Sequence, residues 1–468
     1  MVAGWRGRDD PAVVASGTCW SGRELLERSA GAAAWLRQAC PPGAVPALLA
    51  ASPAAVAHLI GGADCGRPLA PLGPRLTAAE LAPCIEPIDG DVILADPEFE
   101  AVAEEVGALT GRRVERLRVP PRSADPLALD PEPEAPAFWL HTSGTTGRPK
   151  AVPYTQWRLA RRSRLNAELC ALEPGAVYAS ASGFHHIAGL GNYVVALAAG
   201  AALAPMARFS VESWRALADL HVTHALTVPT MLEMLLEADA LVLPDLRNLQ
   251  YGAAPVHPDT LRRTLQTVPH VRVVNIYGQT EGSPITCLTA EDHRQIAELH
   301  RDDLLLSVGR AVPGVELRID EPDASGVGEI VARADHLFVR DSAGWLRTGD
   351  FGRLDDEGYL YLSGRRGDKI IRGGENIYPL EVERILEQHP GVREAAVVGV
   401  PDRKWGEILR AVVVPSDPDK APALDDLKVF VRSHLAGFKV PAEWVIAPEL
   451  PRNANGKLLR RALGESVR

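Results

Sequence analysis

Between Ala30 and Val414 short β-branched apolar runs alternate with longer stretches rich in Ala, Leu and Arg. Thr223 to Val228 is followed by Met231 to Leu236 and then by Val271 to Ile276. This strand, helix, strand order predicts an α/β architecture. The most apolar stretch, Val194 to Ala204, is too short to span a bilayer and reads as a buried helix. Pro-rich, acidic residues from Asp125 to Pro136 mark a solvated connection within one large domain. At Gly364 to Asp368 glycines flank charge and the pattern restarts as a smaller unit. It comprises a helix opened by Pro379 in its first turn and strands at Ala395 to Val400 and Ala411 to Val414. The expected domains are therefore 1–365 and an α+β lid of 366–468, with no internal repeat.

Composition narrows the function more than the fold. The 468 residues are 46% hydrophobic and 24% charged, as in an ordinary globular enzyme of more than one domain. A net charge of -10 argues against a nucleic-acid or anionic-membrane partner, since either favours a basic face. The six cysteines are scattered without a C-x-x-C pair, which disfavours zinc and disulfides and suggests free thiols in a reducing compartment. The first ten residues have no apolar signal segment and no transmembrane run is visible, so a cytoplasmic location is expected.

Thr142 to Lys150 reads T-S-G-T-T-G-R-P-K directly after the apolar run Ala137 to Leu140. Hydroxyls on Ser143, Thr145 and Thr146 stand among Gly144 and Gly147, whose freedom lets backbone N–H groups turn toward an anion, and Lys150 adds positive charge. The spacing is not that of a Walker A loop. A Gly/Ser/Thr cluster after a strand is by itself usually a surface turn, so the motifs downstream decide between the two readings.

N-I-Y-G-Q-T-E-G, Asn275 to Gly282, follows a Val-rich strand and is expected to place Tyr277, Thr280 and Glu281 on one loop at the strand's carboxyl end, where α/β folds bind ligands. Mg²⁺ bound to phosphate needs one or two protein carboxylates, which makes Glu281 the metal candidate; a solvated loop glutamate is the alternative. Tyr251 to Pro255, Y-G-A-A-P, has residues small enough for a flat ring to lie against backbone. Asp350 could accept both hydrogen bonds of a ribose diol, or simply stabilise a turn. N-A-N-G-K near the C-terminus suggests a tight turn presenting Lys457, otherwise a solvated lysine, as a charge donor to a reacting phosphoryl group.

In order and spacing, T-S-G-T-T-G-R-P-K, Y-G-Q-T-E, W-L-R-T-G-D, G-R-R-G-D-K-I-I-R-G-G-E-N-I-Y-P and N-G-K resemble motifs of the adenylate-forming superfamily of acyl- and aryl-CoA synthetases, luciferases and peptide-synthetase adenylation domains. The resemblance runs from about Asp10 to the end. It implies a large α/β domain of layered sheets plus a small barrel, a mobile C-terminal domain, and two half-reactions. A carboxylate first displaces pyrophosphate from ATP, and a thiol of coenzyme A or of a carrier protein's phosphopantetheine then displaces AMP.

By the same resemblance, Thr142, Ser143, Gly144, Thr145, Thr146, Gly147 and Lys150 grip the pyrophosphate, and Lys457 bridges carboxylate and α-phosphate. Gly252, Ala253, Ala254, Tyr277, Gly278 and Gln279 surround the nucleotide, Thr280 meets the α-phosphate, Glu281 the Mg²⁺, and Asp350 with Arg365 the ribose. Gly373 and Gly374 line the pantetheine tunnel, and Gly367 is the pivot where aspartate or lysine is common. His185 and His186, in G-F-H-H-I-A-G-L, resemble the acid-pocket segment, with Ile276, Gly278 and Ser283 as further walls. No aspartate for a substrate amine stands there, which disfavours an amino acid and leaves an aryl or medium aliphatic acid. A non-catalytic member of the fold is opposed by Lys457 and Glu281. Ala151 departs from a frequent glycine and Tyr154 from a common histidine, and the chain before the phosphate loop is shorter than usual. The pairs His185–His186 and His221–His224 lack ligand-spaced partners and are read as pocket or core residues, not zinc ligands.

Overall fold

The computed structural model describes residues 2–15, 17–142, 150–338, 340–372, 375–452 and 458–465. The described chain divides into two compact units, Met1–Glu316 with Arg333–Leu346, and Leu317–Ala332 with Arg347–Arg468. The boundary expected at 365/366 lies inside the second unit, at the end of strand Leu360–Arg365.

The first unit contains two sheets. In the nine-stranded sheet the strands Arg272–Gln279, Asn248–Gly252, His224–Thr227, Val177–Ser180, Ala202–Pro205 and Pro11–Ala15 run parallel in that order, with antiparallel strands at both edges. The six-stranded sheet is parallel except for its last pair, Pro136–Thr142 against Lys150–Thr155. Helices cross between parallel strands and cover their faces, so strands such as Val45–Leu48, Val92–Ala95, His224–Thr227 and Asn248–Gly252 are buried throughout. Leu203, Phe138, Tyr154, Tyr193 and Leu197 belong to one core cluster that joins the sheets.

Local chemistry starts the helices where they are needed. Pro229 opens Pro229–Glu237, and Thr289 and Asp292 form a capping box at the start of Ala290–Leu299. The Val194 to Ala204 stretch, expected as one helix, is instead the end of helix Asn192–Ala198 followed by strand Ala202–Pro205. Gly200 at φ +79° breaks the helix, and the parallel pairing to Val177–Ser180 takes up the apolar residues that follow.

The second unit carries a four-stranded sheet ordered Glu316–Asp320, Gly328–Arg333, Leu346–Leu354 and Leu360–Arg365. Its other sheet pairs Val392–Asp402 with Gly406–Pro415 and is backed by helices Pro379–Leu386 and Leu424–His434. Ile370, Val382, Leu386, Val397, Leu409 and Val431 form its core, and the predicted helix and strands of this region are present. Among the described residues no helix is long and apolar enough to cross a membrane.

Candidate active site

The phosphate-loop motif spans the connection of a hairpin. Thr142 and Lys150 are register partners on adjacent antiparallel strands. Ser143, Gly144, Thr145, Thr146 and Gly147 lie outside the described residues, as do Gly373, Gly374 and Lys457.

Behind the hairpin, Tyr154 is fully buried between Phe138, 4.9 Å away and nearly parallel, and Phe338, 3.9 Å away and tilted. Its hydroxyl donates to the Thr280 carbonyl. The Glu281 carbonyl accepts from Phe338 N at 3.0 Å, so both carbonyls of the Thr280–Glu281 turn are held.

Tyr277 stands on strand Arg272–Gln279 rather than on the expected loop, because pairing with Gly282–Leu288 carries the strand on to Gln279. Only Thr280 and Glu281 remain as the turn. The register shifts between Tyr277 and Gln279. A Cβ on the intervening Gly278 would fall 2.8 Å from Ser283 Cβ and 2.9 Å from the Gly282 carbonyl, which requires glycine there.

Strand Asn248–Gly252 carries the first two residues of Y-G-A-A-P, and Ala253 follows at φ +68°, a strained conformation for a residue with a Cβ. Tyr251 is buried and bonds His293 Nε2 at 3.0 Å, while His293 Nδ1 lies 2.7 Å from the Thr289 carbonyl. A carbonyl only accepts, so Nδ1 carries the proton and Nε2 accepts from the tyrosine. Burial lowers the His293 pKa to about 4.

His185 and His186 lie together, ring centroids 3.9 Å apart, ahead of a wide π-helical turn at Ile187–Gly191. Burial, then the neighbouring His186 and Arg75, lower the His185 pKa to about 3, so the ring is neutral. The His185 ring covers Gly183, where a Cβ would meet it at 2.6 Å. Buried Arg162 secures the turn, donating to the Gly191 carbonyl at 2.8 Å and to Asn192 Oδ1 at 2.9 Å. Ile276 is seated in a core cluster with Cys170, Val274, Cys287 and Val312, and Ser283 is buried beside Gly278. His221 pairs with Asp245 at 2.9 Å, while His224 bonds Thr223 and the Ala171 carbonyl.

In the second unit Asp350 is buried and Arg365, its register partner across two antiparallel strands, donates from Nε to Oδ1 at 2.8 Å. Gly367 follows in a tight turn in which Asp368 N and Lys369 N donate to the Arg365 carbonyl, and a Cβ on Gly367 would meet nothing within 4 Å.

The sequence matches the AMP-binding enzyme family over residues 3–339 and the AMP-binding enzyme C-terminal domain over residues 381–457. The chain belongs to the AMP-binding enzyme family. With relatives named as CoA ligases and synthetases, it is an AMP-forming acid–thiol ligase, in agreement with the resemblance read from its motifs. It is 32% identical to the fatty acid–[acyl-carrier-protein] ligase ScoC of Streptomyces coeruleorubidus, over 88% of this chain and 85% of that protein. It is 33% identical to a feruloyl-CoA synthase of Amycolatopsis sp, over 96% and 94%. Among solved structures, the amide bond synthetase McbA of Marinactinospora thermotolerans superposes with a TM-score of 0.88 at 28% identity over 99% of both chains.

For an AMP-binding enzyme the donor set at the turn suits a cation shared with phosphate. Among the described residues no group of three His, Cys, Asp or Glu side chains is gathered, and the Glu281 carboxylate has no ion-pair partner. One half-buried carboxylate fits Mg²⁺ that keeps phosphate oxygens and water as its other ligands, and does not fit an all-protein cage.

Sequence reasoning missed the supporting residues Tyr154, Phe338, His293 and Arg162. Tyr154 left one trace, as a departure from a common histidine. His293 acts across 42 residues of sequence and Arg162 across 29 and 30, and Phe338 acts through its backbone, which no local pattern records.

Proposed function

We propose that this enzyme converts an aryl or medium aliphatic carboxylic acid and ATP to an acyl-adenylate and pyrophosphate, then transfers the acyl group to the thiol of coenzyme A with release of AMP. The observation that carries this reading is the hydrogen bond tying the Thr280–Glu281 turn to the strand leaving the phosphate loop. That bond ties the turn bearing a hydroxyl and a carboxylate to strand Lys150–Thr155, which supports a shared phosphate and metal site. The feruloyl-CoA synthase relative supports an aryl acid and coenzyme A.

On this reading Thr142 to Gly147 and Lys150 grip the leaving pyrophosphate, Thr280 contacts the α-phosphate and Glu281 holds Mg²⁺, which offsets phosphate charge when bound. Gly252, Ala253, Ala254, Tyr277, Gly278 and Gln279 enclose the nucleotide, and Asp350 with Arg365 holds the ribose. Lys457 offsets charge as the carboxylate attacks. His185, His186, Ile276 and Ser283 shape the acid site; a neutral His185 leaves it uncharged on that side. Segment 366–468 turns about Gly367 between half-reactions, and Gly373 with Gly374 admits the pantetheine arm.

A second reading, transfer to an acyl carrier protein, is favoured by the ScoC relative, because both acceptors present the same thiol. The test is acid-dependent pyrophosphate exchange over an acid panel, followed by acyl transfer to free coenzyme A and to phosphopantetheinylated carrier. Exchange with an aryl or medium-chain acid and transfer to free coenzyme A is expected. Transfer to the carrier alone selects the second reading, and no acid-dependent exchange rejects both.

A further inference from the structure

The turn that carries Thr280 and Glu281 is only two residues long, and its two carbonyls are held from opposite partners, Tyr154 Oη and Phe338 N. Phe338 is itself fixed, since Arg158 Nη1 donates to its carbonyl at 2.9 Å. Tyr154 stands on the strand that leaves the phosphate loop, four residues beyond Lys150 and in register with Phe138. Phe138 and Phe338 close on its ring, and nothing of the side chain reaches solvent.

A ring in such a slot needs no hydroxyl for packing, because phenylalanine would fill the same volume. Among the described residues the hydroxyl's partner is the carbonyl of the residue before Glu281. A buried hydrogen bond of this kind fixes the distance between two backbones that the chain separates by 126 residues.

We infer that Tyr154 is a positioning residue, whose hydroxyl sets the Thr280–Glu281 turn relative to the strand Lys150–Thr155 so that the Glu281 carboxylate is aligned to receive the Mg²⁺ of MgATP. The inference rests on the proposed role of Glu281. Two ring neighbours supply stability, while the single hydroxyl supplies the alignment.

Tyr154→Phe separates the two contributions, and Phe138→Leu is its counterpart, which weakens the stack and leaves the hydroxyl. Calorimetric titration of the full chain with MgATP, and with ATP in EDTA, needs no knowledge of the acid. For Tyr154→Phe, MgATP binding is expected to weaken about tenfold, the scale for leaving a buried carbonyl without its donor, with metal-free ATP changed less than twofold. Phe138→Leu is expected to lower the melting temperature while MgATP affinity stays within twofold. The inference is overturned if Tyr154→Phe binds MgATP like the parent, if it loses MgATP and metal-free ATP alike, or if the parent binds no MgATP. A parent that binds MgATP but shows no acid-dependent exchange counts against the proposed reaction, and leaves the comparison between variants to decide on Tyr154.

Discussion

Arg365 holds the buried Asp350 carboxylate through a 2.8 Å hydrogen bond between register partners of adjacent strands. The Asp350 backbone is tied in turn, its N–H donating to Thr348 Oγ1 at 3.1 Å, while Thr348 donates to the Ile330 carbonyl at 2.7 Å. A carboxylate seated this way accepts hydrogen bonds in a fixed direction.

If that direction serves the ribose, the parent enzyme should prefer ATP over 3′-deoxy-ATP by about tenfold, the scale of one hydrogen bond to a charged group. Asp350→Ala should lose most of that preference and raise KM for ATP. Pyrophosphate exchange with both nucleotides measures it, and an undiminished preference in the variant would remove Asp350 from the ribose site.

Lys457→Ala is expected to slow adenylation about 10² to 10³-fold, as for loss of one preorganised charge-stabilising donor. Thioester formation from supplied acyl-adenylate should persist. Equal loss of both half-reactions would make the lysine structural.

Gly367 has open space where a Cβ would stand, so a substitution there meets no steric objection from its neighbours. Gly367→Pro restricts φ to about −65° and should block thioester formation while pyrophosphate exchange remains measurable. Parallel loss of both half-reactions would contradict a pivot at this position.

His58 and His293 are both buried, and burial lowers each pKa to about 4 from the ordinary 6.5. Between pH 6.5 and 4 the unfolded chain takes up protons that the folded one refuses, so stability is full above pH 6.5 and falls as pH drops through that window. Each ring contributes a slope of up to about 1.4 kcal/mol per pH unit. Urea unfolding across pH 4 to 8 should show the decline, and His293→Gln should make it shallower. An identical slope in the variant would mean that His293 is already charged in the fold.

Much of the architecture could be read from the sequence because a parallel strand buried on both faces is rich in β-branched apolar residues, as with Val273, Val274 and Ile276. The reading failed at Val194 to Ala204, where a run of small apolar residues suits a buried helix and a buried strand equally. Gly200 and the neighbouring Val177–Ser180 strand settle it. Tyr277 was misplaced for a related reason, since the length of its strand depends on a pairing partner beyond the turn.

Sequence alone determined the family and the order of its motifs, because glycines, hydroxyls and charges that meet phosphate must sit at set spacings along one loop. The tertiary structure decided which residues hold those motifs against one another. Tyr154 reaches Thr280, and His293 reaches Tyr251, through contacts between segments far apart in the chain. Such contacts follow from strand order and packing, which local residue patterns do not encode.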